Sequence, residues 1–221
     1  MRKWNLFDGS LFIPKRSACI FLFISLYLFF HVSLAQAEAE TNVTVQPDRL
    51  WSVTAFAGIY TNRDFGSTIG RWPDDTENDQ LIALSVSRRI GQWGRHLTWE
   101  VEGLIAEHFG KSGSYRYNYE EMAAFIVLRY HTFPWNRYVR TSFAIGEGIS
   151  YTTQVPYREQ YQAGETGYHR FLNYLMVELT FGSPLVPSMN LVYRIHHRSG
   201  ILELIGDQGS NYYCIGLRFS F

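Results

Sequence analysis

The sequence predicts an all-β protein, an eight-stranded antiparallel transmembrane β-barrel of the outer-membrane type. After residue 40 no stretch is long and apolar enough for a membrane helix, and apolar and polar residues alternate with a period of two. Long polar connections also alternate with short ones, which is typical of outer-membrane barrels. In the last strand every second residue from Tyr213 to the terminal Phe221 is apolar, a pattern that resembles the assembly signal of bacterial outer-membrane proteins.

Eight segments carry the strand pattern. They are residues 50–60, 80–90, 97–109, 119–132, 138–153, 169–181, 189–199 and 211–221. The stretches "TNRDFGSTIGRWPDDTEND" and "PYREQYQAGETGY" are long polar loops, whereas "GQWGR", "PWNR" and "GSPLVPS" are short turns. Closure of the sheet would satisfy every strand edge in lipid. Aromatic girdles at the two membrane surfaces account for an aromatic content of 17%.

The N-terminus has the features of a secretory signal peptide, residues 1–37. A basic start precedes the apolar run from Ala18 to Leu34, and "AQA" at its end is a small-x-small cleavage site. The alternative is an uncleaved anchor, for which the run is short. Residues 38–49 then form an N-terminal segment and residues 50–221 the barrel. Cys19 would leave with the signal, so Cys214 has no internal disulfide partner.

The charged residues of the strands predict a structural network inside the barrel. The net charge of +0 excludes a general polyanion binder. Eight strands enclose side chains rather than a channel, and buried charges need partners. Five residues of the inward faces can pair there: Glu100, Glu102, Glu178, Arg194 and Arg218. The alternative architecture, a soluble lipocalin-like barrel with its apolar faces inward, would bury His197 and Ser199 in an apolar core.

The segment "RIHHRSG", residues 194–200, places polar side chains on both faces of strand 7. His197 and Ser199 share a face with the apolar residues Tyr193 and Ile195, and therefore point toward lipid. Polar groups on a lipid face are costly and usually functional. Because the C-terminus belongs at the periplasmic end, this pair lies near the outer headgroups. An ordinary rim position is the alternative.

The spacing of these residues predicts a nucleophilic site. Residues i and i+2 of a strand point the same way, with Cβ atoms roughly 6–7 Å apart, so an imidazole can reach a serine hydroxyl. Asn211, at the start of strand 8, lies on the same side and can orient the imidazole. A nucleophile that opens outward in the outer leaflet indicates a lipid substrate.

His197-Arg198-Ser199, with its distance from the C-terminus, resembles the site of the outer-membrane lipid A 3-O-deacylases of the PagL type. The resemblance is concentrated in the last thirty residues or so. It implies an esterase in the bacterial outer membrane that acts on lipid A of lipopolysaccharide. Ser199 would be the nucleophile and His197 the base, and no cofactor or metal would be needed.

This chain departs from the pattern of that family at two places. The usual acid, about fourteen residues after the histidine, is replaced by Asn211, so Glu203 or Asp207 in the loop is an alternative acid. The family's Ser-Asn-Ala continuation is replaced by Ser199-Gly200-Ile201, so the sequence does not assign the oxyanion donors, for which Gly200 and the loop amides are candidates. Two other functions fit the same scaffold: a non-catalytic structural or adhesive barrel, and an acyltransferase with an interior lipid pocket.

Overall fold

The structure is a computed structural model that describes residues 49–69, 73, 75–112, 115–156, 159, 169–200 and 208–221. The predicted signal peptide, residues 1–37, lies outside the described residues, as does all of the N-terminal segment 38–49 except residue 49. Glu203 and Asp207, the alternative acids, also lie outside them.

Eight antiparallel strands form a closed barrel, as predicted, in which each strand pairs with the next and the last pairs with the first. The strands are β1 (Trp51–Thr61), β2 (Thr76–Trp93), β3 (Leu97–Ser112), β4 (Tyr115–Tyr130), β5 (Arg140–Thr152), β6 (Phe171–Gly182), β7 (Met189–Ser199) and β8 (Gly209–Ser220). One helical turn, α1 (Phe65–Thr68), follows β1 and was not predicted. The strands β2, β3 and β4 extend further than predicted, into segments of polar residues. Cross-strand hydrogen bonding continues there although the apolar alternation has ended.

The two longest connections lie at the same end of the barrel. Residues 62–75, 113–114, 153–170 and 200–208 join strands at this first end, here called the loop end. Residues 94–96, 131–139 and 183–188 join them at the second, the termini end, where Trp51 and Phe221 exchange backbone hydrogen bonds. Within the part of the chain that the structure describes, no helix has the length and hydropathy needed to span a membrane.

Alternate residues of the strands face outward and inward. Outward side chains are large, apolar and accessible, such as Ile105 and Leu217, with exposed fractions of 60% and 53%. Ile195 lies on the outward side of β7, opposite Val177 of β6, but only 2% of it is exposed. An accessible apolar surface of this kind requires a lipid environment, because water would not solvate it favourably.

The lumen is filled by side chains in layers. An apolar layer at mid-height includes Phe56, Phe125 and Met176, all buried. Toward the termini end, Glu100, Glu102 and Glu178 bind arginines, as predicted. Arg194 binds Glu178 at 2.8 Å and Glu102 at 2.8 Å. The predicted network omitted Arg129, which binds Glu100 and Glu178.

Candidate functional site on the outward face of the last strands

The two histidines of "RIHHRSG" point in opposite directions. His196 and Arg198 are fully buried in the lumen, whereas His197 and Ser199 are half-buried on the other face of β7. Arg198 binds Glu159, from the β5–β6 connection, with a nitrogen–oxygen distance of 2.8 Å. The strand therefore anchors the loop end with its inward side chains and presents an imidazole and a hydroxyl on its outward side.

His197 is hydrogen-bonded to Asn211, its cross-strand partner on β8. The distance from His197 Nδ1 to Asn211 Oδ1 is 2.6 Å. Side chains of directly opposite residues on one face of an antiparallel pair are close enough to bond in this way. The structure thus brings together the imidazole and the amide that the sequence predicted as base and orienting group.

The backbone of Arg63 determines which atom of the Asn211 amide faces the imidazole. Asn211 Nδ2 donates to the Arg63 carbonyl oxygen at 2.8 Å. A carbonyl oxygen accepts hydrogen bonds and cannot donate them, so the amide nitrogen must point toward Arg63 and the amide oxygen toward His197. His197 Nδ1 therefore carries the proton, which places the lone pair of the neutral imidazole on Nε2, the atom that would act as general base.

The helical turn α1 brings a second group onto His197. The ring of Phe65 packs against the imidazole with a centroid distance of 4.5 Å and an interplanar angle of 31°. Asp64 caps this turn, because its side chain accepts hydrogen bonds from the Ser67 amide at 2.8 Å and the Ser67 hydroxyl at 2.7 Å. These bonds favour the carboxylate and lower the pKa of Asp64. Arg63 and Phe65 were not predicted from the sequence, although an aspartate before a short turn is a recognisable helix-start signal.

Ser199 lies near the end of β7, between β6 and β8. Its cross-strand partners are Asn173 on β6 and Gly209 on β8. A Cβ atom at Gly209 would come within 2.8 Å of the Arg198 carbonyl oxygen, so the close approach of these strands requires glycine. No hydrogen bond joins Ser199 to His197, both of which are described. Such bonds are often long without substrate and shorten in the Michaelis complex.

The sequence did not assign the oxyanion donors. The Gly200 amide donates to the Gln208 carbonyl oxygen at 3.1 Å, so this N–H is already hydrogen-bonded, and the loop amides of residues 201–207 lie outside the described residues. Asn173 was not singled out from the sequence. Its half-buried side chain lies on the outward face directly opposite Ser199. A side-chain amide there can donate to an oxyanion formed at Ser199.

A buried cluster in the lumen has the composition of a metal site. His108 Nε2 and His196 Nε2 lie 2.7 and 3.0 Å from the same oxygen of Glu121, and the three residues offer ligand atoms within 4.8 Å of one another. Arg198 lies 3.7 Å from the other Glu121 oxygen. A guanidinium at that distance opposes a divalent cation, so a hydrogen-bonded network that supports the barrel is the better interpretation.

Comparison with known proteins identifies the fold. No protein-family model and no curated protein matches the chain. The crystal structure of the outer membrane enzyme PagL matches with a TM-score of 0.54 at 10% sequence identity, over 77% of this chain and 99% of that one. This is an outer-membrane-type eight-stranded β-barrel.

Other outer-membrane barrels also match. Neisserial surface protein A has a TM-score of 0.48 and 12% identity, over 77% of this chain and 97% of its own. The attachment invasion locus protein Ail of Yersinia pestis has a TM-score of 0.38 and 12% identity, over 78% and 99%. The similarity to PagL is one of fold, and a proposal about activity depends on the chemistry of the site.

Proposed function

We propose that this protein is an esterase of the bacterial outer membrane that removes an ester-linked acyl chain from lipid A. The observation that carries the proposal is the hydrogen bond from His197 Nδ1 to Asn211 Oδ1 on an outward barrel face, with Ser199 on the same face of the same strand. The fold, which is that of outer-membrane barrels, supports the location. A site that faces lipid takes a substrate that is itself a membrane lipid.

In the proposed reaction Ser199 Oγ attacks the ester carbonyl carbon while His197 Nε2 takes its proton. The tetrahedral intermediate then expels the alcohol oxygen of the lipid, which receives the proton from His197. Water, deprotonated by the same nitrogen, attacks the acyl-serine, and the fatty acid leaves as Ser199 regains its proton. Asn211 holds the imidazole throughout, and the Asn173 amide is our candidate donor to the oxyanion.

A non-catalytic barrel is the second candidate, and the third residue of the site favours it. Asn211 has no charge to stabilise the imidazolium that forms during attack, whereas a carboxylate would supply one. In that case the long connections of the loop end would carry the function, as an adhesive or structural surface.

Mass spectrometry of lipid A from cells with and without the protein tests the proposal. We expect expression of the parent to remove one hydroxyacyl chain from a fraction of the lipid A. Ser199→Ala and His197→Ala should each abolish this change, and the double variant should be no worse than either, because these residues act as one unit. Unchanged lipid A with the parent protein would favour the non-catalytic barrel, and full activity of Ser199→Ala would refute the site.

Matched controls separate chemistry from assembly. Ser188 and His96 lie in turns at the termini end, far along the barrel from the site, so Ser188→Ala and His96→Ala should retain activity. His196→Ala removes a lumen histidine that contacts Glu121. It should reduce the amount of folded barrel, seen as heat-modifiable mobility on gels, while the folded fraction stays active.

A further inference from the structure

The termini end of the barrel encloses a cavity of about 110 Å³ that is rich in positive charge. Among the described residues that line it are five arginines, here called the basic cavity residues: Arg49, Arg89, Arg129, Arg140 and Arg218. The same lining contains one carboxylate, Glu100, together with hydroxyl and amide side chains. The site proposed for ester hydrolysis lies at the opposite end.

The carboxylates near this cavity are already shared between arginines. Glu100 accepts from Arg129 Nε at 2.9 Å through one oxygen and from Arg218 Nη2 at 2.7 Å through the other. Glu178 is bound by Arg129 and Arg194 in the same way. Each of these negative charges therefore neutralises guanidiniums deeper in the lumen, and neither is available to Arg49 or Arg140.

Arg49 and Arg140 are left with buried, unpaired donors. The Nη1 atom of each is inaccessible and makes no hydrogen bond, and both side chains line the cavity. A buried donor without a partner costs about 1–3 kcal/mol, and more when it is charged. Two guanidiniums beside one cavity also repel each other. An anion between the two half-buried guanidiniums would relieve this repulsion and pair the unpartnered donors.

The state of His131 is consistent with a strongly positive cavity. Burial and the adjacent Arg129 lower the pKa of His131 from 6.5 to about 3, so the imidazole is neutral at pH 7. Its Nε2 is 2.8 Å from Thr98 Oγ1. The cavity thus disfavours the protonated, cationic form of His131, whereas its arginines remain charged.

We propose that the basic cavity binds a phosphate group, held between the guanidiniums of Arg49 and Arg140. Guanidinium forks match the oxygen atoms of phosphate in pairs. The volume exceeds what a single water needs, roughly 10–15 Å³ of comparable space, by enough to admit a phosphate-sized group. The phosphate is either a free ion or the headgroup of a phospholipid at this end of the barrel.

Thermal unfolding of the full chain tests this site. The protein is refolded in a zwitterionic detergent whose headgroup contains no phosphate. We expect inorganic phosphate or short-chain phosphatidylglycerol to raise the unfolding temperature saturably, relative to chloride at equal ionic strength. Arg49→Gln and Arg140→Gln should each weaken binding, so that the phosphate concentration needed for half of the stabilisation rises at least tenfold. Arg137→Gln is the matched control, because Arg137 packs on the Tyr138 ring in the same end's β4–β5 connection and does not line the cavity.

The sign of the stability change distinguishes a binding site from a structural arginine. In chloride, Arg140→Gln should raise the unfolding temperature because it removes a half-buried guanidinium that has an unpaired donor and lies beside Arg49. In saturating phosphate the same substitution should lower the unfolding temperature relative to the parent. Lower stability in both buffers would overturn the proposal, as would an equal response to phosphate and chloride. A response to phosphatidylglycerol alone identifies a lipid headgroup as the ligand, and a response to inorganic phosphate alone identifies the free ion.

Discussion

At the scale of single residues, the site depends on an amide whose orientation is determined by a backbone carbonyl. The Arg63 carbonyl accepts from Asn211 Nδ2, which turns Asn211 Oδ1 toward His197. A carboxylate at this position would do two things that an amide cannot: it would stabilise an imidazolium, and it would repel the Arg63 carbonyl. The asparagine therefore gives orientation without charge.

Substitutions of Asn211 separate orientation from charge. Asn211→Ala removes the acceptor, so the imidazole loses its fixed orientation, and we expect kcat for lipid deacylation to fall about 10- to 100-fold. Asn211→Asp should raise kcat because a carboxylate stabilises the imidazolium. It should also lower the free energy of unfolding by about 1 kcal/mol, because the Arg63 carbonyl loses its donor. Single-turnover deacylation in micelles and urea unfolding measure the two effects. An Asn211→Ala variant with parental kcat would show that the amide has no part in catalysis.

At the scale of elements, the connections at the two ends of the barrel have different tasks. The turn α1 brings Phe65 against His197 and begins two residues after Arg63. The β4–β5 connection at the termini end begins with His131, which is largely buried beside Arg129, Glu100, Arg218 and Arg89. Each connection thus completes the environment of a histidine, one outside the barrel and one at its mouth.

The lowered pKa of His131 predicts a pH-dependent stability. The pKa is about 3 in the folded protein and near 6.5 when unfolded, so the unfolded chain binds the additional proton between these values. Stability from this group is complete above pH 6.5 and is lost as the pH falls, by about 1–2 kcal/mol at pH 5. Denaturant unfolding at pH 7 and pH 5 should show this loss in the parent, with a smaller loss in His131→Gln. In His96→Gln, an exposed histidine at the same end, the loss should remain parental. An equal loss in His131→Gln would exclude His131 as its source.

At the scale of the whole molecule, closure of the sheet creates two surfaces with opposite chemistry. The outward surface is apolar and accessible, while the lumen contains buried arginines and glutamates that neutralise one another. Closure also makes β1 a neighbour of β8, which is how the segment after β1 reaches the site on β7 and β8. A barrel of this kind is stable only with lipid or detergent around it.

Cysteine labelling tests the assignment of the faces. In a background with Cys19 and Cys214 replaced by alanine, Leu217→Cys should react with a lipid-soluble thiol probe in membranes. Val192→Cys should not, because Val192 is fully buried in the lumen. Leu217 is a better position than Ile195, which is outward but buried. Reaction at residue 192 and protection at residue 217 would invert the faces and remove the proposed site from the lipid.

The sequence by itself determined the parts of this protein that depend on short-range periodicity. Alternation along β8 and β7 predicts the barrel and separates His197 and Ser199 from His196 and Arg198. Pairing between consecutive strands then predicts that Asn211 meets His197, because a hairpin joins neighbours. The same alternation predicts the inward carboxylates and two of their arginine partners, Arg194 and Arg218, but not the third, Arg129.

Only the tertiary structure decided the contacts between segments that are distant along the chain. Arg63 and Asn211 are 148 residues apart and meet because closure brings β1 beside β8. Arg198 on β7 and Glu159 of the β5–β6 connection meet in the interior, and Arg49 and Arg140 face one cavity because β1 and β5 begin at the same end of the barrel. No local periodicity encodes these distances. They are set by the number of strands, their register and the closure of the barrel.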